Sequence, residues 1–152
     1  ADFKTPISNI EGLFDDKNDF RYTLCWKVDP DVFTGEPQNV TTYKYKAYNN
    51  NWIPQIRLAE MYFIVMEATS STTEANGLFS EYASSRGIAT ADLSSNKLRT
   101  LTKEFNKEFY AEGQMFFFYK RVNATGSINY IPLNAERYVA PLPEREIVYN
   151  NK

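Results

Sequence analysis

The sequence predicts a mainly α-helical fold: an antiparallel helical hairpin plus a third long helix, with an N-terminal two-stranded β-hairpin and long irregular loops. Three observations carry this. "IPQIRLAEMYFIVMEA" (53–68) is apolar almost all round and opens with Pro54, which suits a first helical turn. "SSNKLRTLTKEFNKEFYAEG" (94–113) places Leu98, Leu101, Phe105 and Phe109 on one apolar stripe. Two segments rich in β-formers, "FRYTLCWKV" (20–28) and "VTTYKYKAY" (40–48), flank a loop containing Pro30, Gly35 and Pro37.

Taken in order, residues 1–18 are polar and irregular, and the two β-rich segments pair as a long-looped hairpin. "NNN" (49–51) ends the second strand. The first helix runs from Pro54 to about Thr69. Ser71 and Glu74 have capping-box spacing, so a second helix spans 72–85, with Leu78, Phe79, Tyr82 and Ala83 inward and Gly87 as its left-handed stop. The short connection makes the two helices antiparallel neighbours. The third helix ends at Gly113. "QMFFFYKRV" (114–122) reads equally as a short buried helix or a strand. "NATGSIN" is a loop, and "YVAPLPEREIVYNN" is extended up to a turn at "PERE". The chain is expected to be a single domain over 1–152: an irregular and β-hairpin part (1–52), a helical core (53–122) and an extended closing segment (123–152).

Composition excludes more than it assigns. Histidine is absent, which removes the commonest general base, the usual serine and cysteine protease layouts and most transition-metal sites. Cys25 is the one cysteine, so there is no internal disulfide and no thiolate zinc site; in "YTLCW" it reads as a small buried side chain. The glycines are scattered singly, without a phosphate loop. The net charge of −2, with Lys and Arg dispersed, argues against nucleic acid. No cofactor and no metal is expected. "DD" (15–16) and "DPD" (29–31) lack the spacing of an established calcium loop. The opening "ADFKTPISN" has the pattern of neither a leader nor a mature lipoprotein start, so a piece of a longer protein is expected.

Two features carry possible function. Glu104, Glu108 and Glu112 form a row on one helix edge. Such a row does not oppose two carboxyls across a sugar, as a glycosidase needs, and it reads as a solvated face beside Lys103 and Lys107. The chain also holds 11 Tyr, 11 Phe and 2 Trp, enough for a dense core and for rings at a binding surface. "TTYKYKAYNNNW" interleaves Tyr43, Tyr45, Tyr48 and Trp52 with three asparagines. Sugar rings stack on aromatic faces while amides take the hydroxyls, so Trp52, Tyr48, Tyr45 and Asn50 are the candidate ligand-binding residues. The alternative is that half of these rings face a core.

The charges inside the first helix raise a separate question. On a helical wheel Arg57, Glu60 and Glu67 fall on one narrow side, with Arg57 and Glu60 close enough to pair. They are expected to form a partly buried structural charge network with one another and with an arginine elsewhere.

The same residues carry a resemblance. Arg57-Leu58-Ala59-Glu60, apolar residues and then Glu67-Ala68 resemble the signature helix of the SusD/RagB family, the glycan-capturing outer-membrane lipoproteins of Bacteroidetes. "DFR" (19–21), "RGI" (86–88), "KEFNKEFYAEGQMFFFYKR" and "YVAPLPEREIVYNN" are similar to further family segments and come in the family's order. Met115 and Phe118 depart from it, standing where many members have Arg and Asp in the aromatic run, and the usual Gln-Asn ending is absent beyond Asn151.

The resemblance covers about residues 19–151 and corresponds to the C-terminal part of a SusD-like α-helical fold. It implies a non-enzymatic protein at the cell surface, in the outer membrane, attached only through a lipid anchor outside this chain. The implied partners are an oligosaccharide or polysaccharide and a SusC-like TonB-dependent transporter, with no nucleic acid. Sugar-contacting residues vary in that family and carry over to no position here. Two other readings stand beside it. One is a helical-repeat-type protein–protein interaction module without sugar binding, which the lack of a repeat period disfavours. The other is a glycosidase, for which no opposed acid pair is evident.

Overall fold

The computed structural model describes residues 4–31, 34–44, 56–89, 92–93, 96–128, 131–139 and 143. It is mainly helical with some β-structure, and it falls into two compact units, Ala1–Glu108 and Phe109–Lys152.

The first unit begins with a short strand, β1 (Lys4–Pro6), that runs into helix α1 (Ile7–Leu13). Helix α2 (Phe20–Leu24) leads into β2 (Trp26–Pro30), which pairs with β3 (Pro37–Thr42). The sheet order is β1-β3-β2, both pairs antiparallel, with Thr5 and Val28 opposite Val40. Val40 and Thr41 are buried beneath α1, where Ile10 and Phe14 also lie. The β2–β3 turn is closed by Asp31, whose carboxylate accepts from the Thr34 amide at 2.8 Å, and by Gly35 at φ +73°.

Two expectations are corrected here. Residues 20–24 are helical, not the start of a strand, because Asp19 caps them: its carboxylate accepts from the Arg21 amide at 2.9 Å. The expected two-stranded hairpin is a three-stranded sheet, since β1 adds a strand where an irregular segment was expected.

Helix α3 (Leu58–Ala68) and helix α4 (Thr72–Ser84) form the hairpin. The Ser71 hydroxyl accepts from the Glu74 amide at 3.2 Å. At the other end, Ile88 N–H reaches the Ala83 carbonyl and Gly87 N–H the Ser84 carbonyl, both at 3.1 Å, a Schellman stop. Gly87 has φ +75°, and a Cβ there would lie 2.7 Å from the Phe20 ring and 3.0 Å from the Asn18 carbonyl. Only glycine meets both demands.

Helix α5 (Lys97–Glu108) packs on α3, with Asn96 accepting from the Arg99 amide at 3.0 Å. It stops before Gly113; residues 109–113 are turns. Phe63, at the centre, meets Tyr82 (5.2 Å between centroids) and Phe105 (5.3 Å) edge-on, while Phe79 stacks on Tyr82.

In the second unit, "QMFFFYKRV" resolves as helix α6 (Met115–Arg121), with Phe118 buried. Part of the expected loop "NATGSIN" is strand: β4 (Gly126–Ile128) pairs with β5 (Ile131–Leu133). A 3-10 turn (Ala135–Tyr138) follows, capped by Asn134. Its Tyr138 is buried and donates to the Ala124 carbonyl at 2.9 Å. Among the described residues no helix is long and apolar enough to cross a membrane.

Candidate functional site

The chemically distinctive place in the first unit is a buried ion cluster around Glu108, the last residue of α5. Its carboxylate is 2% exposed. Three guanidiniums converge on it. Arg86, just past the end of α4, donates Nε to Oε2 (3.2 Å) and Nη2 to Oε1 (3.1 Å), a two-pronged grip. Arg57 donates Nη2 to Oε1 and Nη1 to the Glu108 carbonyl (3.2 Å). Arg21 donates Nη1 to Oε2 at 3.3 Å, and the Tyr82 hydroxyl donates to the same oxygen at 3.1 Å. Lys44 Nζ closes the cage on the Glu108 carbonyl, which satisfies a helix-terminal acceptor.

A second tier neutralises Arg21. Asp19, fully buried, takes Arg21 Nε (3.0 Å) and Nη2 (2.6 Å), and Glu104 takes Nη2 at 2.7 Å. Arg21 Nη1 also donates to the Tyr82 hydroxyl at 2.6 Å. Glu104 accepts from Lys107 at 2.8 Å, and Lys107 reaches Asp15 at 2.9 Å. Buried charges persist when each is paired and hydrogen-bonded, and here each is.

The electrostatics follow from the packing. Burial alone would raise the Glu108 carboxyl; the bonds and charge of Arg86, with Arg57 and Arg21 behind, overcome that and hold it down at about 2. Burial would lower Lys107, but Glu104 and then Asp15 push it above its ordinary value. Burial raises the Tyr82 phenol well up, and the Glu108 charge adds to this, so it stays a neutral donor.

The predicted network is placed as follows. Arg57 points across the fold to Glu108, and no ion pair joins it to Glu60 among the described residues. Arg57 stands outside the helical wheel of α3. It is the N-cap, with extended backbone (φ −125°, ψ 143°), so its side chain leaves the helical face. Glu60 is half-buried in the first turn, where the helix dipole favours a carboxylate. Glu67 is half-buried near the other end, and its carbonyl accepts from Lys97 at 3.1 Å. Trp52, Tyr48, Tyr45 and Asn50 lie outside the described residues. Tyr43 is exposed on the rim of the sheet.

The expected solvated face of α5 is overturned. Glu104 (6% exposed), Lys107 (6%) and Glu108 (2%) are buried, because the arginines from outside α5 need counter-charges inside. A signal was present: Glu108 lies seven residues after Leu101, hence on the apolar stripe itself. Asp15 and Asp29, weighed as calcium ligands, take other partners. Asp29 accepts from Thr41 and pairs with Lys4, and no group of three or more potential metal ligands gathers among the described residues.

The chain matches no family model, no curated protein and no solved structure.

Proposed function

We propose that this chain is the C-terminal part of a SusD-like outer-membrane capture lipoprotein, which binds glycan without catalysis and hands it to a SusC-like TonB-dependent transporter. One observation carries the reading. The segments that resemble the family, read separately in the sequence, meet at one place. "DFR" contributes Asp19 and Arg21, the signature helix Arg57, "RGI" Arg86, and the Glu-rich helix Glu104 and Glu108. Motifs spread over about 90 residues and tied to a single carboxylate form one constellation rather than four coincidences. On this reading the constellation serves the fold, tying α2, α3, α4 and α5 to one another.

The test is a panel of oligo- and polysaccharides titrated calorimetrically against the chain, beside Tyr48→Ala and Trp52→Ala variants. Glycan binding that the variants lose supports capture through "AYNNNW". Failure of every glycan to bind overturns capture by this region. Binding to an isolated transporter partner without any sugar would favour the interaction-module reading.

A further inference from the structure

Helix α3 is apolar on two sides, and the first unit uses one of them. Ala59, Phe63 and Met66 are buried in the layer where α3 meets α4 and α5. Leu58, Met61, Ile64 and Val65 recur at helical spacing on the other side, and each is at least 41% exposed. A helix that is hydrophobic all round is one suited to burial all round. A contiguous exposed apolar face rimmed by polar groups marks an interaction surface.

The rim of this face is acidic. Glu60 stands four residues before Ile64, on one edge of the stripe. Along the other edge α4 contributes Glu74 and Glu81, seven residues apart and so on one side of their helix. Both are held against α3: the Glu81 carboxylate accepts from the Tyr62 hydroxyl at 2.6 Å, and the Glu74 carboxylate accepts from the Thr69 hydroxyl. A hydroxyl donor leaves a carboxylate its charge and further lone pairs. Among the described residues no cation pairs with Glu60, Glu74 or Glu81. The cations at the ends of α3 are spent inward, Arg57 and Arg86 on Glu108, and Lys97 on the Glu67 and Thr69 carbonyls.

We propose that this face of α3 docks an amphipathic helix of a separate protein, one whose apolar stripe is flanked by Lys or Arg. Charge selects that occupant over a second copy of the chain. A two-fold pairing of α3 with its own copy uses the same patch twice and brings acidic rims together. Like charges across an interface oppose association, whereas a basic-flanked helix meets each rim with the opposite sign. The length agrees. The 11 residues of α3 extend about 16 Å, three turns, which matches the apolar anchors at i, i+3 or i+4 and i+7 of a docked helix. The proposal does not rest on the glycan-capture reading, and its test contains no sugar.

The experiment titrates the full chain calorimetrically with three synthetic peptides of about 20 residues, long enough to hold a helix. They share one leucine stripe and differ only in its flanking positions, which are Lys, Gln or Glu. The Lys-flanked peptide is expected to bind at least tenfold more tightly than the Glu-flanked one, with Gln between. Met61→Asp and Val65→Asp are each expected to weaken the Lys-flanked peptide at least tenfold. The direction is diagnostic, because unspecific attraction of a cationic peptide grows when a carboxylate is added. Glu74→Lys combined with Glu81→Lys is expected to turn the preference toward the Glu-flanked peptide. All four substituted side chains are exposed, and a thermal melt verifies that each variant folds as the parent does. Undiminished binding in the aspartate variants, equal affinity for the three peptides, or no binding of the Lys-flanked peptide overturns the proposal. Sedimentation of the chain alone adds one more outcome. A dimer that Met61→Asp dissolves assigns the face to a second copy and overturns the separate partner.

Discussion

At the scale of single residues, Glu108 is where four elements are joined. It is 2% exposed and takes donors from Arg21, Arg57, Arg86 and Tyr82. Changing it to Gln keeps the volume and removes the charge, leaving guanidiniums buried without their shared counter-ion. Breaking one side of a buried pair costs about 3–5 kcal/mol. Glu108→Gln is therefore expected to lower the unfolding free energy from urea denaturation by that amount, seen as a lower midpoint with the slope of the transition unchanged. A loss under about 1 kcal/mol would show that Asp19 and Glu104 suffice for the arginines. Arg86→Lys tests a narrower point. Lysine keeps the charge but cannot hold both carboxylate oxygens or the Ser85 hydroxyl at once. It is expected to cost about 1.5–3 kcal/mol by the same measurement.

The elements show which parts of the fold were readable and why. The α3–α4 hairpin was legible because its punctuation is local: Ser71 caps one helix and Gly87 ends it, each through bonds within five residues. The apolar stripe of α5 was legible for the same reason. Residues 20–24 were not, since Phe, Tyr and Thr favour strands on average. A single Asp19 cap, held in turn by the Arg21 guanidinium, which also reaches Glu104 of α5, overrides that preference. β1 was hidden because three residues carry no periodicity; only pairing with β3 defines it. Of the candidate site, Arg57 alone was read as part of a buried charge network, while Glu104 and Glu108 were read as solvated; the Arg57–Glu108 pairing spans 51 residues, and no spacing rule reaches that far.

Two substitutions check the element-level account. Gly87→Ala forces φ +75° on a residue with a Cβ and presses it against the Asn18 carbonyl, at an expected cost of about 1–3 kcal/mol. Helix α3 is apolar on opposite sides: Phe63 is 1% exposed, Ile64 45%. Phe63→Ala is expected to cost about 3–5 kcal/mol. Ile64→Ala, one position on, should stay within about 0.5 kcal/mol in the same chemical denaturation series. Equal losses would mean that the outward face of α3 is covered.

For the whole molecule, the cluster converts local geometry into a dependence of global stability on pH. Glu108 titrates at about 2 when folded, against an ordinary 4.5. The unfolded chain therefore takes up its proton first as acid is added. Glu108's contribution is complete above about 4.5 and is lost as pH falls from there toward 2, a difference on the order of 3 kcal/mol. Asp15, with a depressed value of about 2, is lost over an overlapping window, but its carboxylate is 59% exposed and salt screens its share. Lys107 runs the other way. Its folded value lies above the ordinary 10.5, so its contribution is full below that and fades only in strong base. The chain has no histidine, the side chain that ordinarily titrates near neutral pH. Urea midpoints are thus expected to be level through neutral pH and to fall steeply below about pH 4.5. In Glu108→Gln the plateau should sit lower and the acid slope should flatten, because the group whose protonation drives it is gone. Parallel acid limbs for the two proteins would place the acid sensitivity elsewhere and remove Glu108 from its role as the charge that holds the first unit together.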